Sequence, residues 1–130
     1  MTTTQQTTLN ALGIAPILTV DDLDKSMRFY EGLGFGLEER FERDGQLRGV
    51  MLRAGEARLN LTQDDWGKGR GRTKGIGFRI FVLTSQDMDE LAAKVKAAGI
   101  PLEGPVDAPW GRSITATDPD GFKVTISRQS

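Results

Sequence analysis

Protein chemistry needs nucleophiles, acids and bases or metal-binding atoms, and this 130-residue chain lacks two versatile suppliers of them, histidine and cysteine. Imidazole and thiolate are the usual holders of zinc, copper and non-haem iron, so only all-oxygen sites for magnesium, calcium or manganese stay open. Ser-His, Cys-His and every histidine-based proton relay are excluded. Tyr30, Glu39, Asp64 and Arg79 remain for proton transfer or oxyanion support, and their spacing forms no recognisable catalytic constellation. Binding chemistry is better supplied. The two tryptophans sit among glycines, in Asp64-Asp-Trp-Gly-Lys-Gly-Arg70 and Ala108-Pro-Trp-Gly-Arg112. A large ring on a loop offers a stacking surface to a planar ligand at small cost in side-chain entropy; the plainer alternative is a plug at the edge of the core. Trp110 and Arg112 are assigned together to ligand capture, and Trp66 to a movable wall beside them.

Around Trp66 the segment 64–74 sets two acids against Lys68, Arg70, Arg72 and Lys74, a net of +2. It reads as a flexible basic lid closing over a ligand with anionic or carbonyl oxygens, with a solvated surface loop as the alternative. One short glycine-spaced run with one aromatic is weak support for RNA binding, and the strand and helix context of a phosphate loop is missing. Overall the net charge is -1 and the isoelectric point near 5.5, which gives no general pull toward nucleic acid or membrane. No stretch approaches the roughly 20 apolar residues of a spanning helix. The polar, threonine-rich start lacks the basic end and apolar middle of a signal peptide, so residues 1–13 are expected to form a flexible tail and the protein to be cytoplasmic. Neither nucleic acid nor membrane is an expected partner. With 38% hydrophobic residues, the remainder, 14–130, suffices for one core and one domain.

The elements that must position these residues follow from pattern. Residues 15–20 are apolar and β-branched and run into Asp21-Asp22, so a strand feeds a capped helix. Leu23, Met27, Tyr30 and Leu33 form one apolar stripe, and Gly34 falls where a left-handed cap belongs. Strands are predicted over 37–43, 47–54 and 57–63, separated by the turn signals Asp44-Gly45 and Gly55-Glu56. Beyond the basic loop come a strand over 76–83, a helix over 88–98 bearing Met88, Leu91, Val95 and Ala98, a weaker strand over 101–106, and strands over 111–117 and 122–128. The last two are joined by Asp118-Pro-Asp-Gly121.

The two halves agree at an offset of about 65 residues: Asp22-Leu23-Asp24 with Asp87-Met88-Asp89, Leu33-Gly34-Phe35 with Ala98-Gly99-Ile100, and Leu59-Asn60-Leu61 with Val124-Thr125-Ile126. The fold class is therefore α+β, two β-α-β-β-β modules over 14–63 and 76–128. The run from Pro16-Ile-Leu-Thr-Val-Asp-Asp-Leu-Asp through Phe29-Tyr-Glu-Gly-Leu-Gly-Phe35 resembles the opening of the vicinal oxygen chelate superfamily of glyoxalases, extradiol dioxygenases and bleomycin-resistance proteins. Pro109-Trp-Gly-Arg112 and Thr117-Asp-Pro-Asp-Gly-Phe-Lys-Val-Thr-Ile126 resemble its last module, and the first of these is typical of the bleomycin-resistance-like branch. The resemblance implies curved mixed sheets around a cleft, completed in a homodimer. It also places the superfamily's four metal-ligand positions at Ala15, Asn60, Gly77 and Thr125, which offer no usable first-shell set. No metal and no cofactor are expected.

Strand alternation puts Leu59, Leu61, Val124 and Ile126 on one side and Arg58, Asn60, Thr62, Lys123, Thr125 and Ser127 on the other, with Gly77, Arg79 and Phe81 sharing the polar side. In a curved sheet that polar side lines a pocket, so Asn60, Thr62, Arg79, Phe81 and Thr125 join the candidate ligand contacts, with Phe41 as a further lining residue. The expected function is metal-free binding and sequestration of an antibiotic-like or planar aromatic small molecule; the alternative is an enzyme of the same fold, a lyase or isomerase, with metal-independent chemistry.

Overall fold

The computed structural model describes residues 6–129. Ten elements follow in the order β1 (Ile17–Val20), α1 (Leu23–Leu33), β2 (Gly36–Arg43), β3 (Gln46–Ala54), β4 (Ala57–Gln63), β5 (Arg79–Thr84), α2 (Met88–Ala97), β6 (Glu103–Ala108), β7 (Gly111–Thr117) and β8 (Lys123–Arg128). They build two four-stranded sheets of like topology, β1-β4-β3-β2 and β5-β8-β7-β6. In each, the first strand lies parallel to the last and the other pairings are antiparallel. This is the repeated β-α-β-β-β unit that the internal offset requires.

Local chemistry sets the boundaries. Asp22 holds an extended backbone and accepts from the Lys25 N–H at 3.1 Å, and Asp87 does the same for Glu90 at 3.0 Å, each satisfying an otherwise orphaned first-turn donor. Helix α1 ends as Gly34 turns left-handed at φ 115°, with the Phe35 N–H returning to the Tyr30 carbonyl. Asp44 and Gly45 both adopt positive φ, which matches the right-handed twist of the β2–β3 hairpin.

Several strands begin later than alternation suggests. β1 starts at Ile17, β6 covers 103–108, and β5 starts at Arg79 rather than Ile76. Gly75 and Gly77 take positive φ and break the ladder, and a Cβ on Gly75 would overlap the Gly121 backbone. Ile76, Gly77 and Phe78 therefore form a turn before the sheet. Of the tail expected over 1–13, residues 1–5 lie outside the described residues, and 6–13 carry no helix or strand.

The helix-side faces of both sheets share one apolar core, including Leu18, Val20, Val50, Leu52, Leu59 and Leu61 from the first module and Ile114, Ala116, Val124 and Ile126 from the second. Polar bonds tie α1 to the turn after β7. The buried Tyr30 hydroxyl donates to Asp118 Oδ2 at 2.7 Å, while Asp118 Oδ1 accepts the N–H groups of Asp120 and Phe122 at 2.9 and 2.8 Å. Asp120 in turn accepts from the Asp21 N–H at 3.0 Å and the Ser26 hydroxyl at 3.4 Å. Burial raises the pKa of the Tyr30 phenol, with the Asp118 charge adding to the effect, and it also raises that of the Asp118 carboxyl.

Candidate functional site

The face of each sheet turned away from the helices carries Phe41, Asn60, Thr62, Arg79, Phe81 and Thr125. On the second sheet, Arg79 and Phe81 stand directly opposite Lys123 and Thr125, and Thr115 and Ser113 stand opposite Thr125 and Ser127. Parity would leave these hydroxyls wet, yet Ser113, Thr125 and Ser127 are all buried. Trp110, in the turn between β6 and β7, is bonded to the two serines. Its indole Nε1 donates to Ser113 Oγ at 3.1 Å, its carbonyl accepts from Ser127 Oγ at 3.4 Å, and Ser113 donates to the Gly111 carbonyl at 3.1 Å. The Phe81 ring meets Trp110 edge-on, with centroids 6.3 Å apart. Trp110 stays 51% exposed and Phe81 46%. The pair forms an anchored aromatic platform with free surface. Thr125 spends its hydroxyl on Thr115 at 3.0 Å.

On the first sheet, Phe41 lies 44% exposed opposite Gly49, while Asn60 pairs with Ile17 on one side and Met51 on the other. Asn60 Oδ1 is buried and has no hydrogen-bond partner among the described residues. Thr62 donates to the Arg48 carbonyl at 3.4 Å. A Cβ on Gly49 would press on the Leu61 carbonyl at 3.0 Å, so the close approach of the neighbouring strand favours glycine here.

The structure assigns three sequence candidates to other duties. Arg112 shares parity with Ile114 and Ala116 and so projects to the helix side, where it grips Asp89 of α2 at 2.9 and 3.1 Å and Asp107 at 3.1 Å. It is a clamp between β7 and α2, separated from the Trp110 platform by the sheet. The loop 64–74 is pinned. Asp64 and Lys74 have side chains only 3% and 7% exposed; Lys74 pairs with Asp64 at 2.9 Å and with Asp21, and Arg72 reaches Asp64 at 2.7 Å. Lys74, with the Trp66 N–H and Arg72 assisting, holds the Asp64 carboxyl well below the usual carboxylate range. The Trp66 ring covers this network, with the Arg70 guanidinium 4.5 Å and the Lys74 ammonium 5.5 Å from its centroid. Three of the four cations expected to greet a ligand are thus committed within the loop.

The proton-transfer candidates are dispersed. Tyr30 is buried against Asp118 with a raised pKa, Asp64 is locked as an anion, Glu39 lies exposed on β2, and Arg79 is exposed on β5. The four superfamily metal positions fare no better. Ala15 and Gly77 precede their strands and offer no side-chain donor, Thr125 is bonded to Thr115, and Asn60 contributes a single neutral oxygen. Such a set does not fit a divalent ion. Among the described residues no three His, Cys, Asp or Glu side chains converge, and no helix is long and apolar enough to cross a membrane.

Two adjoining grooves run beside β5. One, of about 490 Å³, is lined by Ile14, Pro16, Arg58, Phe78, Phe81 and Leu83; the other, of about 530 Å³, by Lys74, Gly75, Gly77, Arg79, Gly121 and Lys123. Arg79 and Phe78 line both. These volumes suit a small organic ligand.

Paired β-α-β-β-β modules with ligand-sized grooves beside open sheet faces define the class of glyoxalase-type domains. The chain belongs to the glyoxalase/bleomycin resistance protein/dioxygenase superfamily, whose family model matches residues 9–126. No curated protein matches it in sequence. Among solved structures it is similar to an antibiotic-binding protein from Streptomyces sp. CB03234, 24% identical with a TM-score of 0.72 over 96% of this chain and 100% of that one. A bleomycin-binding protein complexed with bleomycin is 22% identical with a TM-score of 0.70, over 92% and 100%. A virulence protein from Salmonella typhimurium is 27% identical with a TM-score of 0.68, over 94% and 99%.

Proposed function

We propose that the protein binds and sequesters a small, planar aromatic compound of antibiotic-like type, without a metal, as a homodimer in the cytoplasm. One observation carries this reading: Trp110 is anchored through its indole N–H and its carbonyl to two buried serines, yet keeps half its surface open beside Phe81. A ring merely plugging a core edge would be covered. A ring held rigid and half bare costs little further ordering when a planar ligand stacks on it. Asn60, Thr62 and Phe41 supply a second, more polar surface on the first sheet, where the unpaired Asn60 oxygen would accept a ligand donor. The likeness to antibiotic-binding and bleomycin-binding proteins supplies the fold precedent. Half-exposed Phe41, Phe81, Leu83 and Trp110 on the open sheet faces support closure by a second copy.

A thermal-shift panel of fused-ring aromatics tests this, because a ligand binding only the folded state raises the melting temperature by mass action. Stabilisation is expected in the parent and weakened about tenfold or more in affinity in Trp110→Ala. Recovery of the compound unchanged after overnight incubation separates sequestration from catalysis. Equal affinity in parent and variant would remove the platform from the site.

A further inference from the structure

We infer that the second sheet carries an anion subsite formed by Arg79 and Lys123 next to the Phe81–Trp110 platform, so that the ligand is a planar aromatic acid bearing a carboxylate, sulfonate or phosphate. This rests on the binding function proposed above and narrows its ligand class. Arg79 and Lys123 are direct cross-strand partners on adjacent parallel strands, and their side chains share the outward face. Neighbouring strands run about 4.8 Å apart, so two like charges stand side by side where a structure selected only for stability would place a carboxylate or a neutral group. Among the described residues neither forms an ion pair or a side-chain hydrogen bond, although Arg112, Arg72, Lys74, Arg53 and Arg58 all do. The nearest acid on that face, Glu103, pairs with Thr115 on β7, two strands from Lys123, and joins neither cation.

The surroundings favour a ligand over solvent counter-ions. Both side chains line the 530 Å³ groove, which contains no acidic residue, and its third cation, Lys74, is consumed by Asp21 and Asp64. The floor is backbone: Gly75, Gly77 and Gly121 all take positive φ, and a Cβ on Gly75 would overlap the Gly121 backbone. Arg79 also lines the adjoining apolar groove, and one row along the same strands lies Phe81 opposite Thr125. Stacking surface and charge therefore sit two residues apart on the same face of one ladder, roughly 6.6 Å along the strand, a distance the long arginine and lysine stems span to reach an acidic substituent on a stacked ring. The arginine supplies a forked donor pair for a carboxylate or phosphate, and the lysine a point charge.

A matched pair of probes tests this by calorimetry: 2-naphthoate and the neutral 2-naphthamide, which share a ring system. At low ionic strength the naphthoate is expected to bind at least tenfold tighter, with the preference shrinking in 0.5 M salt. In the double variant Arg79→Gln/Lys123→Gln the ratio should fall to near one while amide affinity holds, and Trp110→Ala should weaken both probes alike. Both replaced side chains are exposed and unpartnered, so unchanged melting certifies folding. Equal binding of acid and amide to the parent overturns the anion subsite and leaves the binding function standing. Failure of both probes to bind at millimolar concentration overturns both. A preference that survives the double variant places the anion elsewhere, and a variant that changes particle size instead of the ratio assigns the cations to contact between copies of the chain; either result sinks the inference.

Discussion

Removing the Tyr30 hydroxyl tests whether the two modules are held as one unit by a buried charged hydrogen bond. Tyr30→Phe preserves the edge-to-face contacts with Phe29 and Phe35, whose centroids lie 5.0 and 5.8 Å away, so packing is kept and only the donor is lost. A hydrogen bond to a charged acceptor contributes about 1.5–3 kcal/mol. Asp118 keeps two backbone donors and is not left bare, which places the expected loss near ~2 kcal/mol. For a chain of this length that corresponds to a fall of roughly 7 °C in melting temperature. Urea unfolding followed by tryptophan emission and far-ultraviolet circular dichroism, at matched protein concentration, gives the value directly, with an unchanged slope certifying a local effect. The pH dependence carries a sign. Burial raises the Asp118 pKa, and once the pH falls through that raised value the acid is neutral and the charge assistance is gone. The gap between parent and variant should therefore shrink on acidification. A loss under about 0.5 kcal/mol, or a gap that widens in acid, would refute the reasoning.

Asp64→Asn should lower stability at neutral pH, and because the folded carboxyl titrates well below its ordinary value, the deficit should hold down to about pH 4, the unfolded value, and close only on further acidification; urea midpoints from pH 7 down to about pH 2 check this. Gly111→Ala puts a Cβ against the Arg128 carbonyl at φ 129° and should cost about 2–3 kcal/mol, read as reduced melting temperature and soluble yield. Arg112→Ala, despite its place beside Trp110 in sequence, should leave naphthoate affinity unchanged within twofold in calorimetry while lowering the melting temperature. Chelation should leave the melting curve unmoved, and elemental analysis finding about one tightly held zinc or nickel per chain would contradict the donor-set argument.

Much of the architecture was legible because its signals are local. Asp22 and Asp87 mark helix starts, Gly34 a helix end and Asp44-Gly45 a hairpin, and each acts within a few residues of itself. The start of β5 was not, since Ile76-Gly-Phe78 is as apolar as a strand and only the close approach of Gly75 to Gly121, 46 positions away, forces the turn. Arg112 was misplaced by adjacency. Its alternation with Ile114 and Ala116 already set it on the helix side, but the shared Pro-Trp-Gly-Arg element suggested a common duty with Trp110. The pinning of loop 64–74 left no sequence signal, because a buried ion network is written in three dimensions and its charges look solvated when counted along the chain. The Arg79–Lys123 pairing likewise needs the β5–β8 register, which alternation alone does not supply.

The pinned loop also divides the chain along a chemically matched seam. Asp64 closes the first half and Lys74 opens the second, while Tyr30 and Asp118 are parted by the same boundary. A scission at the exposed Gly69 would leave each fragment with half of two buried polar pairs, incomplete alone and complete only with the other piece. Two first halves would bring together carboxylates without a lysine, and two second halves the reverse. The molecule is in effect a heterodimer on a leash, and co-expressed pieces broken at Gly69 should find each other in preference to themselves, giving a split reporter whose reassembly can be read at the Trp110 platform.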